Sequence, residues 1–181
     1  MQSSSAPRSV AAWLCFLLTA AVGVVLDQWS KVYAFSKLLS KLWWDPPEKV
    51  NTLSRTYEFI PGWVHFQVMA NQGAVFGVGQ GKRLLFIAVS IAAIAFIFYL
   101  FTVSGRQRLY QVILGMLLAG VIGNLYDRVV FHYVRDMIHG LPRWEFFPYI
   151  FNVADSLLCV GVFLMILHSF FHSPPKSNQS P

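Results

Sequence analysis

The chain has 181 residues, of which 56% are hydrophobic and only 12% charged, and its mean hydropathy is +0.53. So apolar a composition excludes an ordinary soluble domain of this length and indicates an integral membrane protein. The net charge of +6 suits an anionic lipid surface, and with no basic stripe interleaved with aromatics a nucleic-acid partner is not expected.

Residues 1–9 form a Ser-rich tail, expected to be disordered. Four apolar stretches follow, 10–26, 84–103, 109–125 and 153–171, each near the roughly 20 residues that cross about 30 Å of hydrocarbon. An even number of spans places both termini on one side. Arg8 ahead of the first stretch suggests a secretory leader, but no small-x-small cleavage site follows, so we read a retained span.

Residues 34–83 then form an extramembrane loop whose 42–55 part, with Pro46 and Pro47, has no period. Further on, Val64, Phe66 and Val68 alternate with His65 and Gln67, the period of a half-buried strand. Pro61-Gly62 precedes it and Asn71-Gln72-Gly73 turns it back into 74–76. A small sheet or hairpin resting on the membrane is predicted, with Trp43, Trp44, Tyr57 and Trp63 at the interface.

Ser-Gly-Arg-Gln-Arg at 104–108 reads as a tight helical-hairpin turn. Gly140, Pro142 and Pro148 make 126–150 an irregular or partly helical arm on the same side as the sheet. Phe131, Trp144, Phe146, Phe147 and Tyr149 render that arm apolar enough to lie in the interface. After the fourth span comes a second polar tail, 173–181. The predicted fold is thus an all-α membrane protein of four transmembrane helices, with a small β-sheet cradle at 34–83 and an arm at 126–150. Cys15 and Cys159, inside the first and last spans, are expected to be buried, inert thiols.

Lysines and arginines do not fix the orientation. The terminal side holds Arg8, Arg106, Arg108 and Lys176, and the opposite loops hold more, although none of the eight acids lies on the terminal side.

Four of those acids, Asp27, Asp127, Asp136 and Asp155, cluster at or just beyond span ends on the side of the large loops. A carboxylate at the edge of hydrocarbon costs a few kcal/mol and is by default a functional candidate. Asp27 and Lys31 form an i, i+4 pair, as readily a structural ion pair as a substrate-binding element. Asn124, Asp127 and Arg128 share a helical face, Asp127 and Arg128 most economically as a brace, and Gly120 and Gly123 would permit close helix approach. Asp136 alone reads as a solvated loop acid. Asp155, on one face with Asn152 and Ser156, is slightly submerged and has no neighbouring cation in the sequence. His65, His132 and His139 lack metal-ligand spacing, and His168 and His172 lie at the far end of the last span. Ser30 and Lys31, adjacent on a helix, point about 100° apart and pair poorly as nucleophile and base.

Five blocks occur in order: Asp27-Gln28-Trp29-Ser30-Lys31; Asn71-Gln72-Gly73-Ala74-Val75-Phe76; Gly120-Val121-Ile122-Gly123-Asn124-Leu125-Tyr126-Asp127-Arg128; Val134-Arg135-Asp136-Met137-Ile138; and Phe151-Asn152-Val153-Ala154-Asp155. With them the chain resembles the lipoprotein signal peptidases, the signal peptidase II family of membrane aspartyl proteases. The resemblance implies one peptidase domain over 10–172 in the bacterial inner membrane, with both termini cytoplasmic and the cradle and arm periplasmic. It implies that Asp136 and Asp155 form a catalytic dyad, that Asn124, Arg128 and Asn152 order the site, and that Asp27, Lys31, Asn71, Gly73 and Ala154 lie near the dyad or substrate. The implied substrate is a diacylated prolipoprotein, cut before its diacylglyceryl-cysteine; neither metal nor cofactor is expected, and membrane lipids and a monomeric state are. The chain departs from the family's pattern in a long 38–56 insertion, in Gln72, and in Arg135, where a small or apolar residue is commoner.

Two other classes fit the sequence less well. A proton-coupled transporter would place acids near mid-membrane and break its helices in matching halves, neither of which the sequence suggests. A structural membrane subunit would leave the clustering of acids unexplained.

Overall fold

The computed structural model describes residues 9–38, 56–73, 79, 81–105, 107–143 and 149–171. The expectations placed on 39–55, on Trp43 and Trp44, on 74–78 and on Trp144, Phe146 and Phe147 lie outside the described residues, as does the side chain of Tyr57.

The elements run α1 (Val10–Leu38), β1 (Thr56–Ile60), β2 (Val64–Asn71), α2 (Arg83–Val103), α3 (Arg108–Val130), β3 (Val134–Gly140), β4 (Ile150–Phe151) and α4 (Val153–Phe171). Among the described residues, all four helices are long and apolar enough to cross a membrane. The hydropathy reading ended the first and third spans at Leu26 and Leu125, whereas both helices continue. Charge does not end a helix when the charged groups find partners, and no proline interrupts either segment. At 1.5 Å per residue the 29 residues of α1 reach about 43 Å, well past the hydrocarbon.

α3 occupies the centre, packed on α1, α2 and α4. Glycines bring the backbones together. A Cβ at Gly115 would lie 2.6 Å from the Phe16 carbonyl oxygen on α1, and one at Gly120 2.6 Å from that of Ala154 on α4. Phe16, Phe101, Ile113 and Leu114 form the buried core toward the α2–α3 turn, with the Phe16 and Phe101 rings stacked at 4.5 Å. The outer faces of α1, α2 and α4 expose apolar side chains such as Leu18, Ile91 and Phe163, the pattern of helices facing lipid.

The sheet is antiparallel in the order β1-β2-β3-β4. Gly62 takes the positive φ (+76°) that the β1–β2 turn requires. The strand predicted over 63–69 is present as Val64–Asn71. The arm is partly helical, since its first residues complete α3, but it also holds an unpredicted element, because Val134–Gly140 is the third strand. Val134 through Met137 are all buried, so β3 lacks the in-out alternation by which a strand is recognised, while Gly140 and Pro142 only mark where it ends. Met137, Val68, Ala70 and Tyr133 pack under the sheet against Ala34 and Phe35 at the top of α1, fixing the sheet to the helices.

Candidate active site

The N-terminus of α4 carries the first half of the site. Asn152 is the N-cap: its side-chain Oδ1 accepts from the Asp155 N–H at 2.9 Å, and Asp155 Oδ2 accepts from the Asn152 N–H at 3.2 Å, a reciprocal capping box. The Ala154 N–H donates to Asp27 Oδ1 at 2.9 Å, so another helix-end donor is satisfied from α1. Negative groups gathered there also face the positive end of the helix dipole.

β3 supplies the other half. Asp136 lies opposite Met69 in the β2–β3 ladder, diagonal to Asn71, whose Nδ2 donates to Asp136 Oδ2 at 3.0 Å. Asn152 Nδ2 donates to Asp136 Oδ1 at 2.6 Å and to Asn124 Oδ1 at 3.2 Å, while Asn124 Nδ2 donates to Asp155 Oδ1 at 2.8 Å. The amide orientations follow from backbone donors, since Gly73 N–H fixes Asn71 Oδ1 and Asp155 N–H fixes Asn152 Oδ1. Asn152 therefore touches both carboxylates. Burial, then the charge of Asp155, push Asp136 up to about 8 against the hydrogen bonds of Asn71 and Asn152 and the charge of Lys31.

A buried charge network lies behind the pair. Lys31 Nζ sits 2.8 Å from Asp27 Oδ2 and 3.1 Å from Asp127 Oδ2. Asp127 pairs with Arg135, Nη2 to Oδ1 at 2.6 Å, and not with its neighbour Arg128 as the shared helical face had suggested. Arg128 instead donates to the Gly73 and Asn124 carbonyls at 3.0 and 3.3 Å and covers the Phe86 ring at 5.1 Å.

Asp136 and Asp155 open onto a cavity of about 560 Å³. Asn71, Asn124 and Arg128 line its polar end with them, and Phe86, Val89, Ala93, Val121 and Leu158 make the rest apolar. Asp27 and Lys31 do not line it, which favours the structural reading of that pair. Cys159 does line it and is exposed, correcting the expectation of a buried thiol: a residue deep within a span can still face a groove.

All ten residues singled out in the sequence meet here: Asp136, Asp155, Asp27, Lys31, Asn71, Gly73, Asn124, Arg128, Asn152 and Ala154. Sequence reasoning missed the partnership of Arg135, Asp127 and Gln28. A signal for Arg135 existed, because neighbours on a strand point to opposite faces, so a residue before a cavity-facing Asp136 must face α1 and α3. It also missed His65 and His139, cross-strand partners with ring centroids 6.3 Å apart, since spacing along the chain says nothing of sheet register. Among the described residues no group of three or more His, Cys, Asp or Glu is placed to hold a metal ion.

Comparison with known proteins adds the lineage. Residues 19–171 match the family described as signal peptidase (SPase) II. Lipoprotein signal peptidase of Geobacillus thermodenitrificans is 35% identical over 162 residues, covering 89% of this chain and 92% of that protein. That of Enterococcus faecalis is 35% identical, over 84% and 86%. The fold is similar to that of a bacterial membrane enzyme solved at 2.3 Å, with a TM-score of 0.74 and 28% identity over 91% of this chain and 93% of that one. A second bacterial membrane enzyme, solved at 1.9 Å, gives 0.70 and 26% over 97% and 100%.

Proposed function

The chain belongs to the signal peptidase II family, and on that premise we propose that Asp136 and Asp155 are the catalytic pair with which it removes signal peptides from bacterial prolipoproteins, hydrolysing the bond before the diacylglyceryl-modified cysteine. The observation that carries this reading is two carboxylates bridged by Asn152 at the polar end of an otherwise apolar cavity. Carboxylates so close do not both ionise readily, so the pair holds one proton near neutrality and titrates as a unit.

With substrate bound, a water lies between the pair and the scissile carbonyl. The ionised aspartate takes a proton from the water as its oxygen bonds to the carbonyl carbon, and the protonated aspartate gives its proton to the carbonyl oxygen. The resulting gem-diol collapses: the C–N bond breaks, the nitrogen takes the proton that came from water, and the other aspartate recovers its own. The route asks for no cofactor. Asn71, Asn124 and Asn152 hold the carboxylates in one geometry throughout, which is where positioned amides contribute to rate. The substrate's apolar signal segment takes the apolar part of the cavity between α2 and α4, and its acyl chains stay in lipid.

In this reading 10–172 form one peptidase domain of a monomer in the inner membrane, with both termini cytoplasmic and the sheet on the periplasmic face. The test uses purified protein in lipid with a diacylated prolipoprotein and EDTA. Asp136→Asn and Asp155→Asn are each expected to lose on the order of 10³-fold or more of the cleavage rate while still inserting. Cleavage by either variant at the native rate would remove that aspartate from the mechanism.

A further inference from the structure

Four charged side chains lie behind the site without lining its cavity. Asp27, Lys31 and Asp127 are fully buried and Arg135 is 1% exposed. Two cations balance two anions, as a stable buried set requires. Their contacts run from the residue before one aspartate to the residue before the other. The Arg135 N–H donates to Asp127 Oδ2 at 2.9 Å while the guanidinium grips Asp127 Oδ1 through Nε at 3.1 Å and Nη2 at 2.6 Å. Lys31 joins Asp127 to Asp27, and Asp27 accepts from the Ala154 N–H. Gln28 closes the ring, accepting from Arg135 Nη2 at 2.6 Å and donating to Asp27 Oδ2 at 3.0 Å. The Arg135 guanidinium also lies 4.1 Å over the Phe131 ring.

We infer that Arg135 is a positioning residue for the reaction, its guanidinium setting, through Asp127, Lys31 and Asp27, both where Asp136 stands relative to Asp155 and the potential in which the pair titrates. This rests on the catalytic reading of the two aspartates. Without the guanidinium, Lys31 is the one cation left to Asp127 beside the backbone N–H of residue 135; Lys31 is then drawn away from Asp27, and the grip of Asp27 on the start of α4 loosens. One uncompensated negative charge is then buried behind the pair, and it holds the pair's protons more tightly. Because Arg135 is outside the cavity, substrate binding is left largely as it was.

The test is the pH dependence of kcat and of kcat/KM for cleavage of a diacylated prolipoprotein. Arg135→Met is expected to lower kcat about 10–100-fold, to change KM by less than about threefold, and to move the whole pH profile up by roughly one unit. Asp127→Asn leaves the opposite excess charge and moves the profile down. The double variant Asp127→Asn/Arg135→Met is neutral again and returns it to within a few tenths of the native position. Arg135→Lys keeps the charge but not the fork, so its profile stays put while kcat falls.

An unmoved profile in Arg135→Met would overturn the inference. Should that variant fail to accumulate, the comparison of Asp127→Asn with the double variant decides, and identical profiles there would overturn it equally. Asp136→Asn and Asp155→Asn measured alongside separate the two readings: if they still cleave, the premise fails. If they are dead and the charge variants leave the profile in place, only the role of Arg135 fails.

Discussion

Asn152 carries no charge and no nucleophile, yet it is the residue on which both carboxylates converge. Its Oδ1 caps α4 and its Nδ2 serves Asp136 and Asn124, so capping and site geometry can be separated by substitution. Asn152→Ala loses both, and we expect about 1 kcal/mol of stability lost in a thermal melt with a fall in kcat of about 100-fold. Asn152→Asp keeps a cap for the Asp155 N–H but sets a third buried carboxylate against the pair, so it abolishes cleavage; equal activity of the two variants would contradict this division. A second residue-scale expectation follows from Asp136 being held up to about 8, first by burial and then by Asp155. Its proton is present below that pH and lost above it, so cleavage should fall on an alkaline limb near pH 8. The sign for stability is the same: the fold binds this proton more tightly than the unfolded chain, whose value is near 3.8. Its contribution to stability is complete below that value and lost as pH rises to about 8. Melting temperature should therefore decline between those limits in the native protein and decline less in Asp136→Asn.

The elements differ in how plainly the sequence announces them, and the reason is burial. Lipid-facing helices declare themselves by length of apolar run, but the 12 residues from Asp27 to Leu38 look like loop until Lys31 is seen to pair with both Asp27 and Asp127. β2 shows its alternation, whereas β3, buried along Val134 to Met137, hides its own. Motif order picked out residues that the fold brings together, whereas the pairing of Arg135 was hidden, because its partner Asp127 lies on another element, eight residues back. Gly120 and Gly123 were read correctly as points of close approach, and Gly120 tests what that approach does. Its missing Cβ leaves room for the Ala154 carbonyl and Leu158, one residue from Asp155. Gly120→Val should force α4 outward, costing about 1–3 kcal/mol in a melt and lowering kcat through the displaced carboxylate. Gly105→Ala is the control: it meets nothing within 4 Å but sits at φ +58°, so it should cost about 1 kcal/mol and leave kcat unchanged. A Gly120→Val enzyme with native kcat would show that α4 need not be held so closely.

At the scale of the whole molecule, the connections set the site and the α2–α3 turn at opposite ends of the helices. α2 runs from Arg83 to Val103, the chain reverses between Ser104 and Gln107, and α3 returns to Val130 and leads into β3. Along α3 the 16 steps from Arg108 to Asn124 correspond to about 24 Å, so in a membrane the turn and the carboxylates would lie toward opposite surfaces. Counting lysines and arginines overstates the charge on the sheet side, because several of the cations there are engaged in structure: Lys31 and Arg135 are buried in ion pairs, and Arg128 is spent on carbonyls and on Phe86. Such groups add little to the field that retains a loop in the cytoplasm. If the termini are cytoplasmic, Trp63, 59% exposed at the sheet's hairpin tip, faces the periplasm and Gly105 the cytoplasm. In a chain with Cys15→Ala and Cys159→Ala, a membrane-impermeant maleimide should label Trp63→Cys in intact spheroplasts and Gly105→Cys only after permeabilisation. The reverse pattern would put the cavity on the cytoplasmic face, where a translocated signal peptide's cleavage site could not reach it.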